Sequence, residues 1–218
     1  MTEAMCTEKS MLTRRAFLHS SLLATAASAL LRGGPVVAAL LKTARADIDI
    51  VRDTLNGLLA FVVPGPDTYS VAQGVSTIEP GGVDAGVSQV LIQTLDLSVP
   101  FLPQFSATVA GILNSLAQAA NPGGGGAFAS SFANLSLPQK AAAFQIMDST
   151  ESLKSLSGVL PAFVAYLVYS DAGAFDPATR SLTRQPVGWT ISNYSGTADG
   201  RNEFRGYLDN RRSAQQER

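Results

Sequence analysis

Histidine and cysteine are almost missing from this chain: among 218 residues there is one of each, His19 and Cys6. Both fall within the first 46 residues, so everything downstream lacks an imidazole and a thiol. That excludes, for the downstream part, disulfides, haem attachment through cysteines, iron–sulfur ligation, zinc sites built from His or Cys, and every catalytic arrangement that uses either side chain. Basic clusters are scarce as well. Between residues 47 and 180 there is none, which argues against nucleic acid as a partner. What remains for chemistry is carboxylates, Ser, Thr, Tyr, Lys and Arg.

The N-terminus is rich in a different kind of information. Thr13-Arg14-Arg15-Ala16-Phe17-Leu18 sets two arginines ahead of an apolar run, the arrangement of a twin-arginine export signal, with Arg14, Arg15, Phe17 and Leu18 as its reading positions. The run is interrupted by Arg32-Gly33-Gly34 and stays short of the roughly 20 apolar residues of a spanning helix. Ala44 and Ala46 supply the small residues that a signal peptidase reads, which puts cleavage before Asp47. The other readings of this stretch are an ordinary amphipathic helix that begins with two solvated arginines and an uncleaved anchor. The cleaved signal and the anchor both place residues 47–218 outside the cytoplasm, in the periplasm or an equivalent extracytoplasmic space. The twin-arginine translocase is the expected partner during export. Six of the 16 basic and two of the 17 acidic residues precede Asp47, so the rest carries 10 basic and 15 acidic residues, net −5. Its 172 residues suffice for one domain with a sizeable core.

Hydrophobic spacing predicts an all-α fold, a bundle of about five helices over residues 47–169. Val51, Leu55, Leu58, Leu59 and Val62 form one stripe over 47–63, ended by Pro64-Gly65-Pro66. Residues 67–82 read as an ordered loop. Val83, Val87, Val90, Leu91 and Leu95 predict a helix over 83–97, and Phe105, Val109, Ile112, Leu113 and Leu116 another over 104–120. Gly123 to Gly126 lack the preceding strand and the following Lys-Ser or Lys-Thr of a phosphate loop, and read as a flexible connection. Ser136, Pro138 and Gln139 start a helix that runs to about Asp148, and Asp148-Ser149-Thr150-Glu151 suggests a second capping box. Residues 153–169 are the most apolar stretch of the downstream chain: either the central helix of the bundle, bent at Pro161, or a membrane-inserted helix. The expected core includes Leu55, Leu58, Val62, Val87, Leu91, Leu95, Val109, Leu113, Phe144, Leu160, Phe163 and Tyr166.

Residues 170–218 change character to an irregular wrap rich in turn formers. Residues 47–150 hold eight acids and two basic residues, whereas 151–218 hold seven acids and eight basic residues. The only tryptophan, Trp189, stands here among Phe175, Tyr194, Phe204, Tyr207 and the arginines 180, 184, 201 and 205. Aromatic residues with arginine dominate protein interfaces when they lie on a surface. Trp189, Tyr194, Arg201, Phe204 and Tyr207 are therefore the candidate partner interface, against the plainer reading in which they cap the helical core. Acid pairs such as Asp171 with Asp176, or Asp199 with Glu203, are the material for a glycosidase, but acids beside Gly and Pro are usually turn formers.

The signal, the all-helical region, Ala165-Tyr166-Leu167-Val168-Tyr169-Ser170-Asp171, Asp176-Pro177-Ala178-Thr179-Arg180, Pro186-Val187-Gly188-Trp189 and Asn193-Tyr194-Ser195-Gly196 together resemble the gluconate 2-dehydrogenase subunit 3-like family. The resemblance covers the signal and roughly residues 137–210. It implies a non-catalytic small subunit of an exported flavin-dependent sugar or alcohol dehydrogenase of the GMC type. The cofactor, FAD, would belong to the flavoprotein partner, with none in this chain. The competing expectation is a stand-alone exported helical protein that binds an apolar ligand or the membrane surface.

Overall fold

The computed structural model describes residues 48–99, 104–176 and 178–194. The export positions Arg14, Arg15, Phe17 and Leu18, the cleavage positions Ala44 and Ala46, and the interface candidates Arg201, Phe204 and Tyr207 lie outside the described residues. Seven helices are present among those described: α1 (Ile48–Val62), α2 (Thr68–Ala72), α3 (Ser88–Ser98), α4 (Phe105–Ala120), α5 (Leu137–Ser149), α6 (Lys154–Tyr169) and α7 (Val187–Ile191). One antiparallel hairpin joins α6 to α7, with β1 (Phe175–Asp176) pairing Phe175 with Leu182 and Asp176 with Ser181 of β2 (Ser181–Leu182). The protein is an all-α bundle, as the spacing predicts.

α1 is the element the others surround, packing against α2, α3, α4 and α6. All seven residues from Thr54 to Ala60 are buried. Leu55, Leu58 and Leu59 are fully enclosed, a burial worth about 1.5–3 kcal/mol for each such side chain. Gly57 has to be glycine, because a Cβ there would meet Ala133 Cα at 2.8 Å. That close approach brings residues 130–135 onto α1. Central burial was expected of 153–169. Instead α6 buries one face, with Leu156, Leu160, Phe163, Val164, Leu167 and Val168 inside, and turns the other to solvent. It runs through Pro161 as a helix, leaving the Ser157 carbonyl without its usual donor.

Several boundaries differ from the periodic reading for local reasons. Residues 83–87 form a turn and α3 starts only at Ser88, because Gly86 takes a positive φ of 65°. Within the expected loop 67–82, Asp67 caps a short helix by accepting from Tyr69 N (2.9 Å), Ser70 N (3.0 Å) and Ser70 Oγ (2.6 Å). The capping box at 148–151 does not form: Thr150 Oγ1 donates back to Ile146 O and closes α5, and α6 begins after Leu153. The one at α5 forms, with Gln139 Oε1 accepting from Ser136 N at 3.0 Å and the Ser136 side chain facing the Gln139 backbone N–H. At the start of α4, Asp96 of α3 supplies the missing acceptor, taking Ser106 N at 2.8 Å.

Most of the expected core is inside. Val62 and Phe144 are partly buried against it, with Phe144 stacked on Phe61 at 5.2 Å. Tyr166 is the correction. It is exposed, on the face of α6 opposite Val164, Leu167 and Val168.

Candidate partner-binding face

The C-terminal wrap is more ordered than its composition suggests. Thr183 N donates to Ala174 O at 2.8 Å, and Gly188 lies directly on Tyr169, where a Cβ would come within 2.4 Å of the Tyr169 Cα. Arg184 fastens the wrap to the bundle. Its guanidinium donates to the carbonyls of Asp84 (3.3 Å), Ala85 and Gly173 (3.2 Å), so this arginine, although exposed, clasps two turns. Five donors in a fixed fork suit that task better than a lysine ammonium would.

Around these attachments lies a set of exposed large side chains, four rings and one leucine. Tyr166, Tyr169, Phe175, Leu182 and Tyr194 are exposed by 41, 46, 44, 38 and 45%. Tyr166 and Tyr169 share one face of α6 by their spacing, and Phe175 and Leu182 are cross-strand partners. Trp189 is half-buried and meets Tyr194 edge-on, with ring centroids 5.3 Å apart. Of the five expected interface residues, the structure thus brings Trp189 and Tyr194 together. Tyr169, whose backbone seats Gly188, and the cross-strand pair Phe175 and Leu182 are exposed as well. The signal that could have found Tyr169 was the i, i+3 tyrosine pair at the end of an apolar helix.

The acids of this region behave as turn formers. Asp176 accepts from Ala178 N (2.9 Å) and Thr179 Oγ1 (2.8 Å), and the Ala178 bond, then the Thr179 hydroxyl, hold its carboxyl below the usual carboxylate range. Asp199 and Glu203 lie outside the described residues. Among the described residues no group of three or more His, Cys, Asp and Glu is placed to hold a metal.

A second cluster, which no periodicity or motif announced, is buried under α2. Lys140 is completely enclosed. Its Nζ donates to Gly57 O (3.0 Å) and Gln73 Oε1 (2.9 Å) and stands 5.6 Å from the Phe132 ring centre. Burial lowers its pKa to about 8, opposed by the Asp67 charge. Gln73 in turn donates Nε2 to Ala60 O at 2.8 Å. That carbonyl needs a donor from outside the helix, because the residue four positions on is Pro64. Beside this hub, Asn114 donates to Thr54 Oγ1 (2.9 Å) and accepts from Ser130 Oγ (2.8 Å) and Phe132 N (3.0 Å). Tyr69 donates to Asp53 (2.7 Å), accepts from Asn56 (3.2 Å) and stacks on Phe128 with centroids 4.2 Å apart. Burial raises the Tyr69 pKa, with the Asn56 bond opposing and Asp53 adding to the rise.

No family description, no curated protein and no solved structure matches this chain.

Proposed function

We propose that this chain is the non-catalytic small subunit of an exported, FAD-dependent oxidoreductase of the sugar or alcohol dehydrogenase type. It binds the flavoprotein in the cytoplasm, lends it the signal at Arg14-Arg15, and remains attached on the far side of the membrane. The observation that carries this reading is the ring-bearing face of Tyr169, Phe175, Trp189 and Tyr194 on a chain that has no His or Cys after residue 19. The twin-arginine route transports folded proteins, typically those loaded with a cofactor beforehand. A chain so poor in cofactor ligands has most use for that route on behalf of a partner. Exposed aromatic clusters held on a rigid support are the usual anchors of a protein–protein contact.

The apolar-ligand and membrane reading draws on residues 153–169. Their large aliphatic side chains are committed to the bundle interior, and no helix among the described residues is long and apolar enough to cross a membrane. The face at the end of α6 therefore supports a protein partner better than a lipid one.

Co-expression with an oxidoreductase encoded beside this chain tests the escort role. With both Arg14→Lys and Arg15→Lys introduced, the flavoprotein should stay in the cytoplasm. Export of flavin-loaded enzyme by that double variant would end the proposal. Trp189→Ala tests the face. The expected result is loss of the complex with the helical circular dichroism spectrum unchanged, whereas unfolding would assign Trp189 to core capping.

A further inference from the structure

The segment 64–82, which carries α2, lies against the bundle through hydrogen bonds more than through apolar packing. Between residues 66 and 79 only Ser70 and Gln73 are buried, while Val71, Ala72 and Ile78 face water. At its two ends Gly65 N donates to Ser70 Oγ (3.0 Å) and Gly82 N to Val63 O (2.8 Å). In the middle Gln73 is the anchor. It reaches Ala60 O and Lys140 Nζ with its side chain, and its carbonyl takes Leu137 N at 2.9 Å. Such a segment belongs to the part of a fold that opens locally before the core does.

The donor count at Lys140 fits an uncharged amine. Two N–H groups meet two acceptors, Gly57 O and Gln73 Oε1. An ammonium brings a third N–H, and what faces it is the ring of Phe132. Among the described residues no carboxylate oxygen lies within 4.0 Å of Nζ. The titratable groups around it are Asp67 and Tyr69 on the covering segment and Asp53 on α1. α4 and residues 121–136 contain no charged side chain, and on α6 the one charged residue, Lys154, is exposed.

We propose that Lys140 is a proton-operated latch on the segment 64–82: the uncharged amine holds the segment shut against α1 and α5, and proton uptake at Nζ favours the opened segment, in which water reaches the ammonium. Its lowered pKa near 8 agrees with this, because the closed form then gives up the proton well before an exposed lysine would. The linkage runs one way: the opened form binds the proton more tightly, so opening is favoured below about pH 8 and suppressed as pH rises toward the ordinary lysine value.

Amide hydrogen exchange on the full chain reads this directly. After correction for intrinsic exchange, the Gln73, Val75 and Thr77 amides, bonded to Tyr69 O, Ser70 O and Gly65 O, should open about tenfold less often at pH 9 than at pH 7. The Leu113 and Leu116 amides of α4, which open only when the whole chain unfolds, should open far less often than the segment at both pH values, and Lys140→Met should make the segment insensitive to pH. Segment amides that open no more often than those of α4, or an unchanged slope in Lys140→Met, would overturn the latch. If Lys140→Met does not fold, the wild-type comparison between the segment and α4 decides by itself.

Discussion

Lys140 and Tyr169 lie on consecutive helices and are placed opposite to the usual habit of their side chains. The lysine is fully enclosed, whereas the tyrosine ring at the end of α6 stands nearly half exposed. The two regions around them differ in the same sense. Under α2 the polar groups of Thr54, Gln73, Ser130 and Lys140 are inside, and among the described residues no buried side-chain nitrogen or oxygen lacks a partner. At the other region Tyr169, Phe175, Leu182 and Tyr194 keep apolar surface in water. A buried polar cluster whose bonds are all made within the chain is explained by folding alone. An exposed ring cluster is not, since it adds nothing to the core and invites association. On the proposed reading, the comparison separates what this protein does for its own stability from what it offers to a partner.

The strongest way to break that distinction is to remove Asn114. Asn114→Ala deprives Thr54 of a donor and Ser130 and Phe132 of an acceptor, so the expected loss is about 3 kcal/mol, read as a lower midpoint in urea. A loss below about 1 kcal/mol would mean that the network is replaceable by water and the region is ordinary surface.

The pH profile gives the next largest effect. Lys140 has a folded-state pKa of about 8, below its unfolded value, so the unfolded chain binds more protons in between and stability rises with pH over that window. The gain from pH 7 to pH 10 should be about 2 kcal/mol and should vanish in Lys140→Met. Tyr69 acts in the opposite sense. Its raised pKa makes the unfolded state lose a proton first, so stability should turn over above about pH 10. A profile flat across this whole range would remove Lys140 from the energetics.

How much of this could be read in advance follows the same division. Leu55, Leu58, Leu91 and Leu113 were legible because a helix repeats its inner face every three to four residues, and that signal is local. Lys140 was not, because a single lysine after Ser136-Leu137-Pro138-Gln139 looks like the solvated side of an amphipathic helix. What buries it is non-local: Gly57 admits residues 130–135 close to α1, and Gln73 arrives from a stretch read as loop. Tyr166 fails for the complementary reason. Its spacing from Phe163 suits a buried stripe, but spacing says nothing about where the covering elements stop. Trp189 and Tyr194 were grouped from composition, and the structure sets their rings edge-on to each other, while Arg184 looked like a surface arginine and is a clasp.

Arg184 links the two kinds of region, and its removal should have a smaller, local effect. Arg184→Ala should lower stability by about 1 kcal/mol, since its three carbonyl bonds are partly exposed, and should make residues 170–194 sensitive to protease while α1 to α6 stay protected. Arg184→Lys should rescue little, because one ammonium cannot span turns 84–85 and 173 as the fork does. Protease resistance in both variants would show that Gly188 against Tyr169 suffices to hold the wrap.

The smallest expected change in stability is also the sharpest test. Tyr169→Ser and Phe175→Ser replace rings that are already nearly half in water, so each should leave the urea midpoint within about 0.5 kcal/mol of wild type. If the face binds a flavoprotein, the same two substitutions should strip flavin absorbance from the purified complex, because interface anchors contribute disproportionately to binding. Tyr169 carries the heavier demand, since its backbone also seats Gly188. Serine leaves that backbone contact in place, so a loss of binding could not be assigned to a displaced α7. Should either variant destabilise the chain by more than about 2 kcal/mol, its ring would belong with Lys140 among the groups the fold needs for itself, and the contrast between the two regions would close.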